Sequence, residues 1–229
     1  MPVQEARPNA GTPDGGSPDS GSPDSGSPDA RSAGAGIIHT CCDATTVAAL
    51  SPSPALSMFR PAEQQQEALV SMAGEAKCCV SVASLGETMV GYAAFHPPGE
   101  FESWGDDKTG QLIELGAVEV DPALRGHRLA SRLLQASFAG GRFDHTVVFA
   151  TLYSWHYDLK RSGLSDFAYK QMLERLYRSA GMAAMRTTDP EIRSSAANGL
   201  MARVGPNCPE EVVAEFERLR LRPVSLCGV

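Results

Sequence analysis

Basic residues are in short supply in this chain: 20 Lys and Arg stand against 27 Asp and Glu, giving a net charge of −7 over 229 residues. A protein that wraps duplex DNA needs a basic face to neutralise phosphates, so that class is excluded and any cationic site has to be local. No apolar run reaches the length of about 20 residues that a membrane-spanning helix needs. The opening residues also lack the basic and apolar blocks of a secretory signal, and the expectation is a soluble cytoplasmic protein. Cysteine is sparse and oddly placed: Cys41-Cys42, Cys78-Cys79, Cys208 and Cys227 contain no C-x-x-C pair and have no His at ligand spacing. That pattern predicts reduced thiols and no metal site. Two familiar phosphate loops are missing as well, since no Gly-Lys-Ser/Thr and no G-x-G-x-x-G occurs.

What is present divides the chain in two. Residues 1–36 repeat Ser-Gly-Ser-Pro-Asp with almost nothing apolar, a composition that cannot offset its own ordering entropy and predicts an unstructured tail. Residues 37–229 are read as a single domain. There, β-like runs alternate with amphipathic ones. Residues 37–50, "IIHTCCDATTVAAL", are a β-like start, and a short helix follows Pro61. Strands are expected at 78–85, 88–95, 112–120 and 145–152, with another near 182–187. Helices are expected at 126–139, 166–180 and 209–221. Gly86 marks a hairpin between the first two of these strands, and Ser165 is a natural N-cap. The fold class is mixed α/β (α+β) with a largely antiparallel sheet.

One junction carries the chemistry. In "EVDPALRGHRLASRLL", residues 119–134, a strand meets a proline turn, then Arg-Gly, then a helix. Free N–H groups and the positive end of the helix dipole make such a start an anion site. The segment resembles the acetyl-coenzyme A loop of the GCN5-related N-acetyltransferases, Gln/Arg-x-x-Gly-x-Gly/Ala after a V-x-P-x-x-R turn. Val120, Pro122, Arg125 and Ala130 fit; Arg128 stands where the family usually has glycine, and could either crowd a pyrophosphate or bind it bidentately. Downstream, "LYRSAGM" resembles the family's late-helix ending, in which a tyrosine, here Tyr177, points toward the thioester sulfur. Further stretches, among them "MFRPAEQQQEAL", "LIELGAVEV", "YSWHYDLK" and "ANGLMARVG", are similar to the acetoin-utilisation (AcuA-type) branch over about residues 56–222. The resemblance implies the acetyltransferase fold, with a sheet splayed at the cofactor. It implies acetyl-CoA as co-substrate, without a metal, held by Ala117, Val118, Val120, Arg125, Gly126, His127, Arg128, Leu129 and Ala130. It further implies a lysine of acetyl-CoA synthetase as acceptor.

Residue chemistry narrows the catalytic roles. A lysine amine, with an ordinary pKa near about 10.4, must shed a proton before it attacks a thioester, so a base is needed. The thiolate leaves easily, at a pKa near about 8.5, so one weak acid suffices. A backbone N–H at a bulged strand can meet the charge that develops on the carbonyl oxygen. Glu114 and Glu119 are the candidate bases. They have opposite parity and face opposite sides of an unbroken strand, though a bulge around Gly116-Ala117 would change that. Glu114 matches the glutamate that many family members carry on this strand and is preferred, with Glu119 in reserve. Trp155 and His156 could line the acceptor cleft, with His156 passing a proton near neutral pH, or they could simply pack at a strand end. Two other function classes stay open at this point: an acyl-CoA-sensing module without turnover, and an interaction protein that uses the C-terminal helix. A small-amine acetyltransferase is the rival within the enzyme class.

Overall fold

The computed structural model describes residues 36–100 and 102–222. The predicted tail and Cys227 therefore lie outside the described residues, apart from Gly36. In chain order the strands are β1 (Ile37–Cys42), β2 (Ser51–Pro52), β3 (Cys79–Leu85), β4 (Thr88–His96), β5 (Leu112–Val120), β6 (Val147–Leu152), β7 (Ala183–Met185) and β8 (Gly199–Val204). The helices are α1 (Ala44–Ala48), α2 (Ala62–Ala73), α3 (Leu129–Ala139), α4 (Leu159–Ser162), α5 (Asp166–Ser179), α6 (Pro190–Arg193) and α7 (Glu210–Arg220).

The strands form one sheet in the order β1-β3-β4-β5-β6-β8-β7, with β2 alongside β4. Every neighbouring pair on the main path is antiparallel except β5 with β6. That parallel pair requires a crossover, and α3 supplies it. The helix buries Leu129, Leu133, Leu134 and Phe138, the 3.6-residue stripe seen in the sequence. Its stripe packs with Val90, Phe95, Leu115 and Val148 of the sheet, and with Tyr177 of α5. Phe95, Phe138 and Phe143 interlock at centroid distances of 4.8 to 5.7 Å. Truncating Leu133 or Leu134, both fully buried, to Ala should cost about 2–5 kcal/mol. The opposite face of the sheet carries two smaller cores, one around Tyr92 under α1 and α2, the other around Phe149, Trp104 and Phe216 under α7.

Two sequence expectations are corrected here. The thiols are not all reduced: Cys41 and Cys79 form a disulfide across the β1–β3 pair, with Cα atoms 4.6 Å apart. Adjacent Cys pairs gave no motif, because the bond depends on strand register. An irregularity between His39 and Cys42, with Cys41 at φ 46°, turns Cys41 toward its partner while Cys42 stays free and buried. The helix expected from Gly126 begins at Leu129, because Gly126 (φ 88°) and Arg128 (φ 57°) are both left-handed and cannot continue it.

Candidate active site

The sheet parts between β5 and β6. Their pairing covers only Leu112–Glu114 against Val147–Phe149. Beyond it β5 continues along β4, from Ala117 to Val120, while β6 stays with β8. On the α3 side of this parting lies a groove of about 470 Å³. Its walls are apolar where Val118, Val120, Leu124, Leu173 and Leu176 meet, and its rim carries Arg125, Arg128 and Arg161. Arg125 is held 3.0 Å from Asp158, and Arg161 donates to Ser57 Oγ at 3.1 Å. The N-terminus of α3 opens into this groove through Leu129, Ala130 and Ser131. Arg128 is the N-cap residue, and no side chain caps the first turn, so its N–H groups are free for a ligand. The left-handed backbone at Arg128 also accounts for glycine at this position in the family motif, because only glycine adopts it without strain. The groove therefore suits a long, partly apolar ligand with an anionic end.

Of the residues expected at the cofactor, Val118, Val120, Arg125, Gly126, Arg128, Leu129 and Ala130 line this groove. His127 is exposed outside it. Ala117 packs toward the opposite core around Tyr92. Tyr177 is buried in the main core and is not part of the groove wall, where Tyr169 of the same helix stands instead. Burial raises the Tyr177 hydroxyl above the ordinary tyrosine range, with Tyr169, Tyr157 and Glu114 adding to the rise.

The bulge decides which way the two glutamates face. Ala94 pairs with Ala117, and the next residue, Phe95, pairs with Leu115, so Gly116 is left over. Ile113 and Leu115 pack with α3, as do Val118 and Val120 beyond the extra residue. Glu114 and Glu119 therefore share the other face, correcting the opposite-side expectation for an unbroken strand.

Their surroundings differ. Glu119 accepts from the Met58 N–H at 2.9 Å and from the Tyr92 hydroxyl at 2.8 Å. Both of its oxygens are engaged in pinning the segment before α2 to the sheet. Glu114, 9 % exposed, accepts from Thr151 Oγ1 at 2.9 Å. It lines a cavity of about 340 Å³ together with Glu102, Tyr153, His156, Asp189 and Glu191. Burial raises the Glu114 carboxyl above the usual carboxylate range, and the neighbouring Glu102 charge pushes it further; the Thr151 bond and His96 pull it back. A buried carboxyl poised in this way is suited to accept a proton. His156 lies at the cavity on the short turn 154–156, beside Trp155, which is 54 % exposed and stacked on Tyr153 at 4.5 Å. Asn198 secures that turn by accepting from the Ser154 N–H at 2.9 Å.

Sequence reasoning missed Glu102, Asp189 and Glu191, which reach the cavity from loops and from a short helix, and it missed His96. The cross-strand pairing of His96 with Glu114 was legible only once the bulge was known. Among the described residues no cluster of three or more His, Cys, Asp or Glu side chains is arranged to hold a metal ion. Among them, too, no helix is long and apolar enough to cross a membrane.

Comparison with known proteins agrees with this geometry. The profile of the Acetyltransferase (GNAT) family matches residues 46–151. The acetoin utilization proteins AcuA of Bacillus licheniformis and Bacillus subtilis are each 38 % identical over 165 residues, which is 72 % of this chain and 79 % of theirs. The crystal structure of an acetoin utilization protein from Exiguobacterium sibiricum superposes with a TM-score of 0.79 at 36 % identity, covering 82 % of this chain and 89 % of that one. The chain belongs to the GNAT acetyltransferase family, within its acetoin-utilisation AcuA group, and is an N-acetyltransferase.

Proposed function

We propose that this acetyltransferase moves the acetyl group of acetyl-CoA to a protein lysine, and that its acceptor is acetyl-CoA synthetase, which acetylation switches off. The observation that carries the reading is the cavity at Glu114. Four carboxylates, from Glu102, Glu114, Asp189 and Glu191, converge on it, and such a site attracts a lysine ammonium. It adjoins the cofactor groove along β5, with the Gly116 bulge between the two sets of lining residues. The acetoin-utilisation resemblance supports acetyl-CoA synthetase as the protein that presents the lysine.

In this reading the free N–H groups of α3, with Arg125 and Arg128, bind the pyrophosphate of acetyl-CoA, and the apolar walls take its pantetheine arm. Backbone N–H groups at the bulge donate to the carbonyl oxygen as it gains charge. Glu114, oriented by Thr151, takes the proton from the amine. The amine nitrogen then bonds the carbonyl carbon, the carbon–sulfur bond breaks, and the departing thiolate takes up the second proton that the nitrogen loses as it becomes an amide. Tyr177, the acid that the resemblance implies on the thiolate side, lies behind the groove wall. Its burial makes it a reluctant donor, and a thiolate can leave without full protonation.

The test compares acceptors. Turnover with acetyl-CoA is measured against folded acetyl-CoA synthetase, a lysine peptide and small amines. The proposal expects kcat/KM to be highest for the folded protein; equal or better transfer to a small amine would assign the cavity to that class instead.

A further inference from the structure

The proton that Glu114 takes has to leave a buried carboxyl, and on the α2 side of the sheet the structure sets a histidine beside it. We propose that His96 is the proton outlet of the site, carrying the proton from Glu114 to the surface between α2 and β4. The proposal rests on the assignment of Glu114 as the base.

Three observations place His96 there. First, it is the cross-strand partner of Glu114 in the β4–β5 register, a position where side chains on one face lie about 5 Å apart at Cβ. Second, its ring lies over the bulge: a side chain at Gly116 would overlap His96 Nε2, so glycine is what allows the imidazole to occupy that space. Gly116 in turn lines the acceptor cavity. Third, His96 also lines a separate, open hollow with Ala68, Ser71, Met72, Glu75 and Pro97. One side chain thus touches both the floor of the cavity and the outside.

The tautomer is set as well. His96 Nδ1 lies 2.8 Å from the Pro97 carbonyl oxygen, and a carbonyl oxygen only accepts, so Nδ1 carries the hydrogen. Neutral His96 therefore presents the bare lone pair of Nε2 on the Gly116 side, ready to accept. The proton balance is simple. An amine N–H bond breaks as the Glu114 O–H bond forms, and that bond breaks in turn as Nε2 is protonated. The imidazolium then gives up its Nε2 proton to water or buffer and returns to the starting tautomer. Groups facing Glu114 from the surrounding elements are Glu102 from the loop after β4, Thr151, Tyr153 and His156 from the end of β6, Asp189 and Glu191 from the start of α6, and Tyr177 from α5. Of these, Glu102, His156 and Glu191 are exposed at the cavity mouth, whereas His96 leads to the separate hollow on the α2 side. It does not touch substrate; it is a positioning residue for the proton.

The test is chemical rescue. In dilute buffer, His96→Ala should keep its affinity for acetyl-CoA and lose about tenfold in kcat, less than the roughly 10²–10⁴ of a lost general base because water can still take the proton slowly. Added imidazole should restore much of the rate, and substituted imidazoles should do so in order of their pKa. His96→Gln, which cannot titrate, should be equally slow, and it carries the test if circular dichroism shows that the alanine variant misfolds. Wild-type kcat in either variant overturns the proposal, as does a loss that imidazole does not relieve. An inactive Glu114→Gln beside a fully active His96→Ala would leave Glu114 as the base and remove His96 alone; wild-type turnover in Glu114→Gln would remove both.

Discussion

Replacing Glu114 by Gln changes one property of the site, its capacity to accept a proton. The substituted amide is isosteric and its oxygen can still accept the Thr151 hydrogen bond. A general base is worth about 10²–10⁴ in rate, about 3–5 kcal/mol of barrier at 1.36 kcal/mol per tenfold. The upper part of that range applies because the carboxyl is buried and water cannot readily replace it. The assay is steady-state turnover across pH 5–9 with saturating acetyl-CoA. For the wild type, kcat should rise with pH through the Glu114 pKa, which burial and Glu102 lift above the usual carboxylate range, since the base works only as the carboxylate. In Glu114→Gln that limb should vanish, and the residual rate should climb as free amine becomes available. Stability should move the other way. A carboxyl whose folded pKa is raised lends stability below its unfolded pKa and loses it as pH rises through the folded value. At pH 8 the variant should therefore melt at or above the wild-type Tm. Wild-type kcat at every pH, with acetyl-CoA affinity intact, would refute the assignment and return the role to His156 or to a water chain.

Four further outcomes follow from the same geometry. Tyr177→Phe should lower kcat less than Glu114→Gln does, because the thiolate can leave unprotonated; a larger loss would make the hydroxyl the main catalytic group. Arg125→Ala breaks a partly exposed ion pair with Asp158, so it should cost about 1 kcal/mol of stability while weakening acetyl-CoA binding in calorimetry; unchanged affinity would move the pyrophosphate elsewhere. Arg128→Gly relieves the left-handed strain at φ 57°, which costs an L-residue about 1–2 kcal/mol, part of it offset by the added freedom of glycine when unfolded. Its Tm should rise slightly, and a fall in acetyl-CoA affinity alongside would show the guanidinium at work on the phosphates. Reduction of the Cys41–Cys79 bond, or Cys41→Ser, should lower stability by about 2–4 kcal/mol, since the residues are 38 apart in sequence; an unchanged Tm with and without reductant would show that the bond does not form.

How much of this was written in the sequence can be judged element by element. Leu112–Val120 is a strand over the residues expected, and the Gly86 hairpin, the Ser165 cap and the apolar stripe of α3 were equally readable. These features are local: period, turn chemistry and capping act within a few residues. The cofactor loop was legible for the same reason, since a strand, a proline turn and a helix start lie in one stretch. Its left-handed Arg128 was not, because an arginine there runs against backbone preference and only the packed structure imposes it. The facing of Glu114 and Glu119 depended on one unpaired residue, Gly116, whose place is set by β4 and not by β5. The acceptor cavity was hidden further still. Its carboxylates come from positions 102, 114, 189 and 191, which no spacing rule connects, and the disulfide was hidden by the same dependence on register.

The most direct test of the account is mass spectrometry of purified acetyl-CoA synthetase incubated with acetyl-CoA and this protein, set beside Glu114→Gln and a control without enzyme. The account predicts acetylation concentrated on one lysine of the synthetase, loss of synthetase activity in step with it, and little of either with Glu114→Gln. An unmodified synthetase, or acetylation that is spread over many lysines and equal in the control, would contradict it.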